Sequence, residues 1–159
     1  VGTALGVAGV NMPAPAVYEA ISSGVTDGVF FPMETMYAFK IAELAKHTYS
    51  NPQGMYTTAF GLIMNSDSYD GLSAAHKACV DKLTGVEMSR RVGTYWDEAD
   101  ALGLEKFKEA GGKLTVASAA DQAYFADKTA GIEAKVVAAA SERGVDGAAA
   151  LAFFRSQLK

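Results

Sequence analysis

Cys79 would be a nucleophile if ionised. His76, three residues before it, would sit on a neighbouring position of the same helix to take its proton. The surrounding sequence is plain amphipathic helix, and the pair reads more simply as a small buried cysteine beside a surface histidine. Cys79 is the single cysteine, which excludes an intramolecular disulfide and a cysteine-based zinc site. His47 and His76 have no ligand spacing. No G-x-S-x-G occurs, and the serines sit at caps and turns. Gly24-Val-Thr-Asp-Gly28 is not a phosphate-cradling pattern. Asp97, Glu98 and Asp100 read as a solvated acidic face. No catalytic residue, metal site or cofactor is expected, and the chain is not read as an enzyme. A small hydrolase or metal-dependent enzyme is the remaining alternative, which a metal bound at His47 or His76 would revive.

These residues belong to a chain of 159 residues, half of them apolar and a fifth charged. That is enough for a buried core and too apolar for disorder. The formal net charge is −4, without a basic stripe, so nucleic acid and anionic membrane surfaces are not expected partners. No apolar run approaches the length needed to span a bilayer, so direct membrane insertion is not expected either. The first residue is Val1 rather than Met, as in a processed or truncated chain.

Residues 1–8 resemble the tail of an element begun upstream. Val10–Met12 predicts a strand closed by Pro13 and Pro15, and Val17, Ala20 and Ile21 predict a short helix stopped by Gly24. Val25–Phe31 predicts a brief buried strand around the Asp27-Gly28 turn signal. Pro32 restarts the chain, and Met33–Leu44 has helical character. His47–Asn51 reads as irregular, Met55–Met64 as a strand and Asn65–Gly71 as turn chemistry.

Leu72, Ala75, Cys79, Leu83 and Val86 then recur at helical steps, and Val92, Tyr95, Trp96 and Ala99 extend the stripe. If residues 73–110 form one helix it is about 55 Å long, too long to bury its face against one small lobe. Gly111-Gly112 ends it, and Lys113–Val116 predicts a strand. Ser118 and Asp121 predict a helix start, with Phe125, Thr129, Ile132 and Val136 inward and Gly144 as the stop. Asp146 predicts a cap for a last helix through Leu158, with Leu151 and Phe154 inward. About four short strands beside an oversized helix predict an α/β fold, part of which lies outside this chain.

The stretch from Met12 to Gly28, with Val17-Tyr18, Ala20-Ile21, Gly24 and Asp27-Gly28, resembles a segment of TRAP (tripartite ATP-independent periplasmic) transporter solute-binding proteins, the DctP-like family. That segment reads loosely P-M-x-x-x-E-V-Y-x-A-L-Q-x-G-x-V-D-G. The resemblance continues through Phe31-Pro32, Phe39-Lys40, Glu43–Thr48, Phe60–Asn65, Tyr69–Leu72 and the long helix, covering nearly the whole chain. It implies the C-terminal lobe of a two-lobe periplasmic solute-binding protein, a small mixed sheet flanked by helices plus a long lobe-spanning helix. In domain terms, residues 1–71 are part of the second lobe, 72–110 the spanning helix and 111–159 a short strand with C-terminal helices; the N-terminal lobe is absent. The implied role is capture of a small organic acid in the periplasm, with the signal peptide removed, and delivery to the membrane subunits of a TRAP transporter for ion-gradient-driven uptake.

Two departures from the family pattern bear on the ligand. The family's carboxylate-clamping arginine lies upstream of Val1, and the role does not pass to Arg90, Arg91, Arg143 or Arg155. Many members have Asn where this chain has Phe31, and a bulky aromatic where it has Ala14. The resemblance therefore implies a less polar solute met by Phe31, Phe30, Glu34 and Ala14. The alternatives are that Phe30 and Phe31 are core residues and Glu34 a helix first-turn charge. A different class of function is a non-catalytic interaction or dimerisation module built on the long helix, and a fragment with uncovered apolar surface is also expected to self-associate.

Overall fold

The structure, a computed structural model, describes residues 1–55 and 58–157. A 3₁₀ turn, Gly2–Leu5, opens the chain, and a second, Ala14–Ala16, runs into α1 (Val17–Ser22). Two short helices follow, α2 (Thr35–Ala38) and α3 (Ile41–Leu44), then strand β1 (His47–Ser50). Next come α4 (Ser66–Asp70), α5 (Ala74–Leu83), α6 (Val86–Glu109), β2 (Lys113–Val116), α7 (Ala119–Glu142) and α8 (Gly147–Gln157). β1 pairs with β2. The Lys113 N–H donates to the Lys46 carbonyl and the Ala117 N–H to the Ser50 carbonyl, both at 2.8 Å, so the strands advance together as a parallel pair. The fold is α/β, with two strands among the described residues where about four were expected.

The chain divides into two compact units. The first, here the core unit, comprises Met12–Thr48 and Thr57–Thr115; the second, the terminal unit, comprises Val1–Asn11, Tyr49–Tyr56 and Val116–Lys159.

In the core unit, Val17, Met36, Ile41, Ala42 and Phe107 form the buried centre, with Ile41 and Phe107 fully enclosed. Full burial of each such side chain contributes about 1.5–3 kcal/mol. Met33–Leu44 is two helices rather than one, because Lys40 between them adopts φ 56°, a left-handed conformation that residues with a Cβ seldom take. Lys46 then donates from its ammonium to the carbonyls of Ala42 (2.7 Å) and Ala110 (3.0 Å), tying α3 to the end of α6.

The stretch expected as one long helix is also divided. Gly85, at φ 66° and ψ −139°, takes a conformation open to glycine and separates α5 from α6. Asn65–Gly71 proves to be helix α4, started by the Asn65 side chain accepting from the Ser68 N–H. Cys79, expected to be buried, is exposed.

Val10–Met12 and Val25–Phe31, expected as strands, are assigned to none among the described residues, where the sheet consists of β1 and β2. Part of the strand expected over Met55–Met64, at residues 56 and 57, falls outside the described residues. Beyond it the chain is irregular and notably apolar at its surface: Phe60, Leu62, Ile63 and Met64 are 69%, 79%, 91% and 50% exposed. Phe60 stacks on Trp96 of α6, with ring centroids 5.0 Å apart.

In the terminal unit, Ser118 and Asp121 make a reciprocal capping box at the start of α7, and Gly144 follows its end at φ 80°. The Asp146 carboxylate accepts the Ala149 N–H (2.9 Å) and starts α8. The two helices pack closely because Gly147 has no Cβ, which would sit 2.6 Å from the Val137 carbonyl oxygen. Arg155 of α8 pairs with Glu133 of α7. Phe125, Thr129, Ile132 and Leu151 are half-buried as expected, whereas Val136 and Phe154 face solvent. The expected last helical residue, Leu158, is outside the described residues.

Candidate functional site

The four residues expected to meet a solute all lie in the core unit. Phe30, Phe31 and Glu34 share one segment around Pro32, and Ala14 opens the 3₁₀ turn before α1. That segment belongs to no strand and no helix, so tertiary contacts must hold it. Phe31 is half-buried, packs against the core and meets Phe39 at a centroid distance of 5.9 Å with a 45° tilt. One side of its ring is thus core, as the alternative reading supposed, and the remainder is accessible. Phe30 is 40% exposed. Ala14 is half-buried, and its turn leads into Val17 of the same core, which also includes Phe39 at its edge.

Glu34 immediately precedes α2. Its backbone N–H donates to Asp100 Oδ1 of α6 at 2.8 Å. Burial pushes the Glu34 carboxyl above its ordinary range, and the nearby Asp100 charge pushes it the same way. Asp100 is therefore not a simple member of a solvated acidic face: it is half-buried and holds a backbone donor, while Asp97 and Glu98 are exposed. One turn further along α6, Gly103 meets the same segment. A Cβ there would lie 2.1 Å from the Met33 carbonyl oxygen. The spacing of Asp100 and Gly103 before the buried Phe107 is the signal in the sequence that could have found them, since steps of three and four share one helix face.

A separate open depression of about 390 Å³ is lined by Pro15, Tyr18, Ala38, Phe39, Lys40 and Glu43. The Tyr18 hydroxyl donates to Glu43 Oε2 (3.0 Å), and that bond, then the Glu43 charge, raises the phenol above its ordinary range. Lys40 and Glu43 bring one charge of each sign, so the depression gives an anion no clear preference. None of the four expected residues lines it.

His47 lies in β1 and His76 in α5, and among the described residues no three His, Cys, Asp or Glu side chains gather as a metal would need. Among the described residues no helix is long and apolar enough to cross a membrane.

Residues 1–139 match the family described as bacterial extracellular solute-binding protein, family 7 (DctP). The C4-dicarboxylate-binding periplasmic protein DctP of Rhodobacter capsulatus is 31% identical over 107 residues, covering 67% of this chain and 29% of that protein. Among solved structures, a TRAP periplasmic solute-binding protein of Bordetella bronchiseptica with bound (R)- and (S)-mandelate is 34% identical. It aligns at a TM-score of 0.91 over 98% of this chain and 49% of its own. A marine-metagenome TRAP solute-binding protein specific for aromatic acid ligands, in complex with metahydroxyphenylacetate, is 32% identical, with a TM-score of 0.79 over 92% of this chain and 46% of its own. This chain thus spans about half the length of these solved relatives. The chain belongs to the DctP family of bacterial extracellular solute-binding proteins.

Proposed function

We propose that this chain is the C-terminal half of a periplasmic solute-binding protein that captures a ring-bearing organic acid and delivers it to TRAP membrane subunits for ion-gradient-driven uptake. The observation that carries the reading is the Phe30–Glu34 segment. It presents a partly exposed aromatic pair, braced by Phe39, beside a half-buried acid whose proton is held more tightly than usual. A phenyl ring would stack on Phe31, and a solute hydroxyl would hydrogen-bond to Glu34. Ala14 leaves room that a bulkier residue would fill. Mandelate, bound by the Bordetella relative, and metahydroxyphenylacetate, bound by the metagenome relative, both combine ring, hydroxyl and carboxylate. The carboxylate would be clamped by an arginine on a strand upstream of this chain, in bidentate geometry. In this reading residues 1–71 belong to the second lobe, 72–110 span both lobes and 111–159 complete the fold. The role is binding, not catalysis.

Calorimetry on the full-length protein tests this with mandelate, 3-hydroxybenzoate and succinate. The ring-bearing acids should bind at least about tenfold tighter than succinate, a difference of about 1.4 kcal/mol. Equal or tighter binding of succinate would remove the aromatic assignment. The 159-residue chain alone should bind the same acids weakly; micromolar binding by it would contradict the half-site.

The exposed Phe60–Met64 run favours a second reading, in which the chain is an interaction or dimerisation module. Sedimentation of the chain separates the two, because a monodisperse monomer is incompatible with the second.

A further inference from the structure

We propose that Asp100 and Gly103 of α6 are positioning residues that set where the Phe30–Glu34 segment stands, and so which acids the site accepts. The inference rests on the reading that this segment meets the solute. Among the described residues the segment is assigned to no strand. Its local hydrogen bonds run forward into α2: the Thr35 N–H and hydroxyl both reach the Pro32 carbonyl, at 3.2 and 2.7 Å, and the Met36 N–H reaches the Met33 carbonyl at 3.1 Å. These bonds shape the turn, and Phe31 packs on the core beside Phe39.

Two contacts with α6 set how closely the segment's Met33–Glu34 end approaches that helix. The Asp100 carboxylate takes the Glu34 N–H at 2.8 Å, a charge-assisted bond of the stronger kind. Gly103, buried and without a Cβ, lets the Met33 carbonyl approach into the volume a side chain would occupy. Asp100 pulls the segment inward and Gly103 permits it to arrive. Phe107, fully buried on the same face, anchors the helix that carries both. Moving the segment outward would carry Phe31 with it, because only Pro32 and Met33 separate Phe31 from Glu34 and Pro32 stiffens the link. A ring stacked on Phe31 would feel that shift. An acid lacking a ring, held chiefly by its carboxylate elsewhere, would feel it less.

The test uses the full-length protein and its Asp100→Ala, Asp100→Asn and Gly103→Ala variants, titrated with (R)-mandelate and succinate. Asp100→Ala and Gly103→Ala should weaken mandelate about tenfold or more, the loss expected of a charge-assisted bond, and weaken succinate less. Asp100→Asn keeps an acceptor oxygen and should recover mandelate to within about threefold of the parent. Unchanged mandelate affinity in Asp100→Ala, or equal losses for both acids, would overturn the proposal.

Amide hydrogen exchange at Glu34 provides an arm independent of ligand. The amide should be protected in the parent and in Asp100→Asn. Exchange at the rate of a surface amide in the parent would overturn the positioning role. If Asp100→Ala does not fold, this arm and the Asn variant decide the matter. If the parent binds neither acid, the proposed function fails while the exchange result still judges the positioning.

Discussion

Gly103→Ala is expected to destabilise the core unit by about 3 kcal/mol, against the general tendency of alanine to favour helices. The substitution inside α6 gains about 1 kcal/mol of helix propensity. Against that, the new Cβ would stand 2.1, 2.7 and 2.9 Å from the Met33 oxygen, the Met33 carbonyl carbon and the Glu34 Cα. All three are backbone atoms, so no rotamer change relieves them. Moving the Met33 oxygen from 2.1 Å to an ordinary 3.4 Å requires a retreat of about 1.3 Å. Overpacking of this kind costs about 2 kcal/mol. The same retreat stretches the 2.8 Å bond from Glu34 to Asp100 beyond useful length, losing about 2 kcal/mol more.

Trp96, the single tryptophan, lies on α6 and reports on this unit through its fluorescence in urea. With a slope of about 2 kcal/mol/M, the midpoint should fall by about 1.5 M. Gly93→Ala on the same helix is the control: its Cβ would meet nothing within 4 Å, and it should gain about 0.5–1 kcal/mol. If both substitutions raise the midpoint alike, the close approach of Met33 to α6 is wrong.

Phe31→Ala in the full-length protein should weaken mandelate more than succinate, about tenfold against threefold or less, as read by calorimetry. Ser118→Ala should cost the terminal unit about 1 kcal/mol in thermal or urea unfolding, through loss of the α7 cap. The Asp121 carboxyl is held below its usual range by the Ser118 hydroxyl and then by the Ser118 backbone N–H. Its contribution is complete above its ordinary value of 3.8 and disappears as pH falls through the folded value, so unfolding followed below pH 4 should show less acid sensitivity in Ser118→Ala. Glu34 has the opposite sign. Its raised folded value means that stability falls as pH climbs from its ordinary 4.5 through that value, and Glu34→Gln should flatten this decline in a pH series of urea midpoints.

Legibility in the sequence followed the range of the interaction. Ser118, Asp121, Gly144 and Asp146 act within one helical turn of themselves, and α7, with the start of α8, lies where those residues predict. Asn65–Gly71 misled because the side chains that make turns also start helices, and Asn65 does the second. Gly85, Gly93 and Gly103 look alike in sequence. Only Gly85 breaks the helix; Gly93 and Gly103 stay helical, and at Gly103 the missing side chain admits the Met33 carbonyl. β1 escaped notice because His47–Ser50 lacks an apolar alternation and becomes a strand only by pairing with residues more than sixty positions away. At the candidate site, the placement of Phe31 and Glu34 in one partly buried segment followed from Pro32 and the helix after it. Asp100 was lost among its acidic neighbours, since charge alone does not distinguish a carboxylate facing water from one facing an N–H.

The exposed run Phe60-Gly61-Leu62-Ile63-Met64 has a consequence for the chain's life in a cell. It contains no charge and no proline, the residues that normally interrupt aggregation-prone segments. Exposed apolar runs of this kind are what quality-control chaperones and proteases engage, so this one bears on how much of the chain survives. Ile63→Lys, at the run's most exposed position, should reduce aggregation and raise the soluble yield of the chain.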